Sequence, residues 1–233
     1  MTAISLIGCS GGEEEGETVP ADAYPREAVE LIAPAGPGSG YDLTIRAIAQ
    51  CLSGSGQVEV PLPVTNKPGQ GGGTALEYLA GERGADDVLS IFSPPICLVH
   101  LNGTTDCSYE EDTTPIARLL MESGDLRVLA VTAGERLDIG EMAEVPTCRE
   151  EGIDAEFSNW RGIFGPADMP EYALEYWENT LREMTETKEW RETCSRYGWE
   201  AAFQGHEEFE QFLDETNGEY RELLDEIGVL AED

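Results

Sequence analysis

From Ala28 onward, short apolar runs alternate with amphipathic stretches. Val29 to Ala33 is an apolar run of strand length, interrupted only by Glu30, and predicts a buried strand. Tyr41 to Leu52 predicts a helix, with Leu43, Ala47, Ile48 and Cys51 on one side at helical spacing. Val58 to Val64 is strand-like in composition, yet Pro61 and Pro63 interrupt it. Thr74 followed by Glu77 has the spacing of a capping box and predicts a helix start, with Ala75, Leu76, Leu79 and Ala80 carrying the apolar side. Val88 to Ser93 predicts a third strand, ended by Pro94 and Pro95. A strand, a turn and a helix therefore occur twice in succession, which implies parallel strands and places both turns at one edge of a sheet. Ligands of open α/β sheets bind at that edge, beyond the carboxyl ends of the strands.

Further along, Thr114 to Leu120 and Leu126 to Thr132 are two more apolar runs, with only Met121 to Asp125 between them. Pro146 to Gly152 predicts a short helix closed by glycine. Asn159 to Pro166 predicts a strand entering a proline turn. The remainder reads as helical: Pro170 to Met184, Lys188 to Tyr197 ending at Gly198, and His206 to Leu224 with Phe209, Phe212 and Leu213 set against acidic faces. The doubled strand-turn-helix unit is the one internal repetition. No stretch reaches the ~18 apolar residues that span a bilayer.

The turns carry the candidate chemistry. Between the first strand and its helix lies Pro34-Ala35-Gly36-Pro37-Gly38-Ser39-Gly40-Tyr41-Asp42. Its glycines let backbone approach a ligand, and Pro37 stiffens the loop. Ser39 and Asp42 have capping-box spacing at the start of the helix. A helix start presents N–H groups without intrahelical acceptors and the positive end of the helix dipole, so the partner it suits is an anion. A glycine-bearing connection of no function is the competing reading, because any strand-to-helix link in an α/β protein can contain glycines. The second turn, Asn66 to Gly73, repeats the theme after the proline-interrupted stretch.

Charge narrows the partners. Lys and Arg number 14 against 47 Asp and Glu, for a net charge of −33 and a pI near 4.1. This excludes nucleic acid and simple attraction to anionic lipid. So dense an acidic surface is expected of a protein adapted to high salt, where screening shortens to about 3 Å at 1 M. The alternative is a merely acidic protein. The 40% hydrophobic content over 233 residues suits one large domain or two small ones.

At the amino end, Leu6-Ile7-Gly8-Cys9 resembles the lipobox at which bacterial lipoproteins are cleaved and lipidated, here on Cys9. Gly11 to Glu17 then reads as an acidic tether. Eight residues without Lys or Arg precede Cys9, too few for a leader. Either the start has been placed too late or the cysteine is incidental.

The six cysteines lie at 9, 51, 97, 107, 148 and 194. Cys97 with Cys107 is the first pair expected to bridge in an oxidising compartment, whereas Cys51 falls on an apolar helix side as a small buried thiol would. No spacing suits zinc, and His100 and His206 read as ordinary surface or capping residues. No nucleophile elbow is present. Gly36-x-Gly38-x-Gly40 after a strand admits a Rossmann-like, nucleotide-binding enzyme with Glu59 near the ribose position. Against this, the third glycine comes one position early, Pro37 sits in the loop, and Gly69 to Gly73 lacks the lysine and hydroxyl of a phosphate-binding loop.

Several separate stretches resemble the substrate-binding proteins of tripartite tricarboxylate transporters. They are Tyr24-Pro25, Pro34-x-x-Pro37-Gly38-x-Gly40-x-Asp42, and Asn66-x-Pro68-Gly69-x-Gly71-Gly72. Later, Gly124 to Thr132 is similar to the family's "GKLRALAVT" run, Val145-Pro146-Thr147 with Glu151-Gly152 to its "VPT…EG" helix, and Trp160-Arg161-Gly162 through Pro166 and Pro170 to its return crossover. The likeness runs from about Tyr24 to the carboxyl end. It implies a type II, periplasmic-binding-protein-like fold: a three-layer α/β lobe with a parallel-rich sheet, facing a second lobe across a ligand cleft.

The resemblance further implies a receptor, not an enzyme, working without a cofactor outside the cytoplasm. It would capture a di- or tricarboxylate for the membrane components of its transporter and touch the membrane only through a lipid anchor. By position, Gly36, Gly38, Ser39, Gly40 and Asp42 would form the first ligand loop, Gly71, Gly72 and Thr74 the second, and Ser93 a hydroxyl at the end of the third strand. Family members carry about 100 residues, the size of a small domain, where this chain has only Leu120 to Gly124. The division implied is therefore a leader and tether over 1–23, a first lobe from 24–112 with 165–233, and a remnant of a truncated second lobe over 113–164. A non-functional or partly folded deletion variant is the alternative this raises.

Overall fold

A computed structural model describes residues 24–122, 150 and 159–231. Cys9, the tether, the run 126–132 and, Glu150 apart, the helix expected over 146–152 lie outside the described residues. Six strands form one sheet: β1 (Glu30–Ala33), β2 (Val64–Asn66), β3 (Val88–Phe92), β4 (Thr113–Glu122), β5 (Asn159–Pro166) and β6 (Trp199–Gln204), in the order β2-β1-β3-β5-β4-β6. Among the described residues the helices are α1 (Gly40–Gly54), α2 (Gly73–Gly81), α3 (Pro95–Leu101), α4 (Tyr109–Asp112), α5 (Glu171–Thr185), α6 (Lys188–Tyr197) and α7 (His206–Glu226), with a 3₁₀ turn at Gln70–Gly72.

Period-two alternation in the strands divides the core into two halves. Leu31, Ala33, Leu89, Ile91 and Ile163 face α1, α5 and α6, meeting Ile45, Ile48, Trp177, Leu181 and Trp190. Ile32, Val88, Phe92, Trp160 and Phe164 face α2, α3 and α7, meeting Leu76, Leu79, Ile96 and Phe209. The result is the expected three-layer α/β lobe. Burial of each such large side chain contributes about 1.5–3 kcal/mol. Gly162 has a packing reason, since a Cβ there would lie 2.3 Å from Phe209 Cζ.

Among the described residues, parallel pairing is confined to β2, β1 and β3, the strands of the doubled unit. The other half is antiparallel, β5 running against both β3 and β4, and β4 against β6. The sheet is therefore mixed, its parallel half being the one that carries the glycine turns. β4 and β5 both lie inside it, so the ends of the 113–164 stretch belong to the same sheet as β1 to β3.

Other expectations need correction. β6 falls where only helix was expected: it is an edge strand with Glu200 and Ala201 exposed, and so lacks the apolar run of a central strand. The Val58–Val64 stretch supplies carbonyls to β1, from Pro61 to Val29 N at 3.1 Å and from Pro63 to Leu31 N at 2.8 Å. Proline has no N–H to return, so strand pairing begins only at Val64. Pro94 and Pro95 end β3 as expected but also open α3, with Pro95 in its first turn. In α1 the buried side is Ile45, Ala47, Ile48, Cys51 and Leu52, whereas Leu43 is 42% exposed. Helix α2 starts at Gly73 with Gly72 as its cap, so Thr74 is inside the first turn and does not cap it. Glu77 accepts instead from Thr105 Oγ1 at 3.0 Å. Cys97 and Cys107 are free thiols and form no bridge. Cys97 is buried within α3, where its surroundings push its thiol up to about 12, mainly by desolvation. His206 does not cap α7; its Nδ1 is hydrogen-bonded to the Pro115 carbonyl of β4 at 2.5 Å.

Candidate functional site

The first turn of α1 is built by its own residues. Ser39, with extended backbone, caps the helix by accepting from Asp42 N at 3.3 Å. Asp42 does not close the expected reciprocal bond to Ser39 N. Its Oδ2 reaches one residue further, accepting from Gly38 N at 2.9 Å, and so ties the loop to the helix. Ser39 N donates to the Gly36 carbonyl at 3.2 Å, which closes the turn. Gly38 has φ +81°, a conformation other residues rarely adopt, and a Cβ at Gly36 or Gly38 would meet nothing within 4 Å.

Asp42 also joins the two turns. Its Oδ1 accepts from Asn66 Nδ2 at 2.9 Å and from Arg46 Nε at 2.9 Å, while the Asn66 amide donates to the Ala35 carbonyl at 2.8 Å. Asn66 ends β2, so the start of the second turn is fixed to the first. The Arg46 bond foremost, with help from Gly38 N–H and Asn66, holds the buried Asp42 carboxyl at about 2, below its ordinary 3.8, against the opposing effect of burial. Asp42 thus occupies donors of the loop itself, which makes it a positioning residue for the edge.

In the second turn, Gly69, Gln70, Gly71 and Gly72 have consecutive positive φ values of 141°, 51°, 65° and 112°. Three glycines make that path accessible. Gly72 packs near Pro34, where an added Cβ would lie 3.9 Å from the proline's, so the turns are neighbours. Thr74 lies beneath Gly69: a Cβ there would fall 2.5 Å from Thr74 Oγ1. Ser93 is buried just after β3, and its hydroxyl is hydrogen-bonded to that of Tyr41 in the first turn of α1. The fold therefore gathers Gly36, Gly38, Ser39, Gly40, Asp42, Gly71, Gly72, Thr74 and Ser93 at the carboxyl edge of β1, β2 and β3. Gly40 N–H, at the first helical position, has no intrahelical acceptor.

Three residues at this edge were not singled out from sequence. Asn66 was visible only as part of a turn motif. Tyr41 reads as an ordinary first-turn aromatic. Arg161 stands as a lone charge within the apolar β5, and that was the available signal. It is 5% exposed, and its guanidinium carbon lies 4.9 Å from the centroid of the Tyr41 ring.

Among the described residues, no group of three or more His, Cys, Asp or Glu side chains could hold a metal ion. No described helix is long and apolar enough to cross a membrane. A hollow of about 210 Å³ lined by Tyr24, Pro25, Arg26, Glu27, Val29, Asp86 and Asp87 lies where the chain enters β1 and β3, at their opposite, amino ends.

Solved structures share this fold. A TctC solute-binding protein from Polaromonas superposes with TM-score 0.73 at 16% identity, over 87% of this chain and 99% of that one. A protein from R. palustris with adipate gives TM-score 0.68 at 15% identity, over 89% and 99%. MatC from Rhodopseudomonas palustris with bound malate gives 0.65 at 13%, over 86% and 100%. A sequence search of characterised proteins returns no match. The sequence profile described as "Tripartite tricarboxylate transporter family receptor" matches residues 99–229, more than half of the chain. With the paired turns at the edge of this fold, the chain belongs to the tripartite tricarboxylate transporter receptor family.

Proposed function

We propose that this protein is an extracytoplasmic receptor that captures a small di- or tricarboxylate at the carboxyl edge of β1, β2 and β3 and delivers it to the membrane components of a transporter. One observation carries the reading. Two glycine turns, each opening a helix, are fastened together through Gly38, Asp42 and Asn66, and Gly72 at the end of the second packs near Pro34 at the start of the first, so that the turns leading into α1 and α2 are neighbours. Helix starts of this kind suit a carboxylate, and charge-assisted hydrogen bonds to N–H groups contribute about 1.5–3 kcal/mol each. The adipate and malate held by the two structural relatives are of the same class.

This use of backbone also accounts for anion capture by a chain of net charge −33. Helix-end dipoles act at contact range, while distant carboxylates are screened by salt. Gly36, Gly38, Ser39, Gly40, Gly71, Gly72, Thr74 and Ser93 form the proposed contact set, with Asp42 shaping it. The reading places Cys9 as a lipid anchor and treats 113–164 as the remnant of the family's second lobe.

Isothermal titration of the full chain with malate, adipate, citrate and an aromatic diacid, beside NAD and ATP, tests the proposal. Binding of at least one carboxylate, weakened by Gly40→Pro, is expected. Nucleotide binding without carboxylate binding would overturn it in favour of a Rossmann-like enzyme, and binding of neither would favour an inactive deletion variant.

A further inference from the structure

Gln70 is the one residue on the positive-φ path of the second turn that is not a glycine. Gly69, Gly71 and Gly72 take their values at little cost, whereas Gln70, at φ +51°, carries a strain that a fourth glycine would remove. The backbone gives no reason for that strain, since the bond made there, from Gly73 N–H to the Gln70 carbonyl, is open to any residue. Packing gives none either, because Gln70 is exposed. Its side chain folds over Gly73, where an added Cβ would lie 3.0 Å from Gln70 Oε1 and 3.1 Å from Gln70 Cβ. Gly73 stands between Gly72 and Thr74, two members of the proposed contact set, so the amide lies beside them where α2 opens. Among the described residues that amide has no hydrogen-bond partner. A strained, exposed side chain without an internal partner, set on a binding edge, is kept for what it meets outside the chain.

We propose that Gln70 is a specificity-determining residue of this site and reads a hydroxyl group on the ligand, favouring hydroxylated di- and tricarboxylates over those that lack the hydroxyl. The inference rests on the carboxylate reading of the edge. The N–H groups of the glycine turns only donate, so they suit carboxylate oxygens and serve any carboxylate alike. A ligand hydroxyl also needs an acceptor. The hydroxyls of the contact set are otherwise placed: Ser39 accepts from Asp42 N, Ser93 is bonded to Tyr41, and Thr74 Oγ1 lies beneath Gly69. The Gln70 amide offers an acceptor in Oε1 and donors on Nε2, which match a group that both gives and takes a hydrogen bond.

Matched pairs that differ by one hydroxyl test this: malate with succinate, and citrate with tricarballylate, titrated into the wild-type chain, Gln70→Gly and Gln70→Met, with thermal unfolding beside each titration. The wild type is expected to bind a hydroxy acid about fivefold more tightly than its partner, the worth of one net hydrogen bond. Gln70→Gly should bring that ratio to near one and leave succinate affinity in place. It should also raise the melting midpoint by about 2 °C, as the relief of strain exceeds the freedom a glycine adds to the unfolded chain. Gln70→Met keeps the strain and loses the amide, so its ratio should fall with no gain in midpoint. Selectivity lost while stability rises is a result that a merely structural side chain does not give. An unchanged ratio in Gln70→Gly, or a wild type that binds malate and succinate alike, overturns the inference and leaves the carboxylate reading standing. Failure of the wild type to bind any of the four acids would remove that reading, and this inference with it.

Discussion

Replacing Asp42 with asparagine isolates the contact that joins the two turns. In the wild type, three donors converge on one carboxylate: Gly38 N–H on Oδ2, and Arg46 Nε and Asn66 Nδ2 on Oδ1. The amide of Asp42→Asn has the same shape but sets an NH₂ where one acceptor oxygen stood, so one donor faces another donor. The lowering of the carboxyl from 3.8 to about 2 corresponds to about 2 kcal/mol of preference for the charged form. Arg46 is 49% exposed, and solvent screening of its charge reduces the expected net contribution to about 1–2 kcal/mol. Because the folded-state value is depressed, this stability is fully present above the unfolded value near 4 and is lost as pH falls through about 2. Urea or thermal unfolding of both proteins, at constant high salt from pH 7 down to pH 2.5, reads the effect. Asp42→Asn should be less stable by about 1–2 kcal/mol at pH 7, a fall of about 2–4 °C per kcal/mol in a domain of this size, with the gap closing below pH 4. Equal midpoints at pH 7, or a gap that stays constant down to pH 2.5, would refute the role assigned to Asp42.

Gly72→Ala should cost about 1–2 kcal/mol by denaturant melts through backbone strain alone, because φ is +112° and the added Cβ has room. Gly69→Ala should cost more, since φ +141° is joined there by a 2.5 Å approach to Thr74 Oγ1. Gly162→Ala should destabilise by about 1–3 kcal/mol through overpacking against Phe209, and the additional change Phe209→Leu should recover part of the loss in the same assay. Alkylation of the denatured, unreduced protein followed by peptide mapping should find Cys97 and Cys107 both modified as separate thiols; a peptide pair bridged through them would contradict the packing of α3.

Much of the fold could be read from the chain. The fully buried β3 and the largely buried β1 and β5 appear as apolar runs, and α6 runs from Lys188 to Tyr197 with Gly198 as its left-handed cap, as the sequence predicts. Ser39 is the cap of α1 for the local reason the sequence supplies, a short hydroxyl side chain before an amphipathic run. These features depend on periodicity and on residues within a few positions of one another, which is information a single chain carries. The sequence by itself also determined the glycine turns, their repetition, and the acidic balance that turns attention from charge to backbone as the means of holding an anion.

Tertiary structure alone decided the rest, because those features depend on groups brought together from distant positions. β6 exists because β4 offers it an edge, and its half-exposed composition gives little sign of this. Leu43 obeys helical spacing yet faces outward, since the sheet lies under Ile45 and Ile48. Asp42 reads as half of a capping box, but Asn66, 24 residues away, makes it the clasp between two turns. Arg161 is a lone charge in an apolar strand until the reversal of β5 beside β3 sets it over Tyr41. Local pattern fixed where the chain could present N–H groups, and only the packing of distant strands determined which side chains stand beside them.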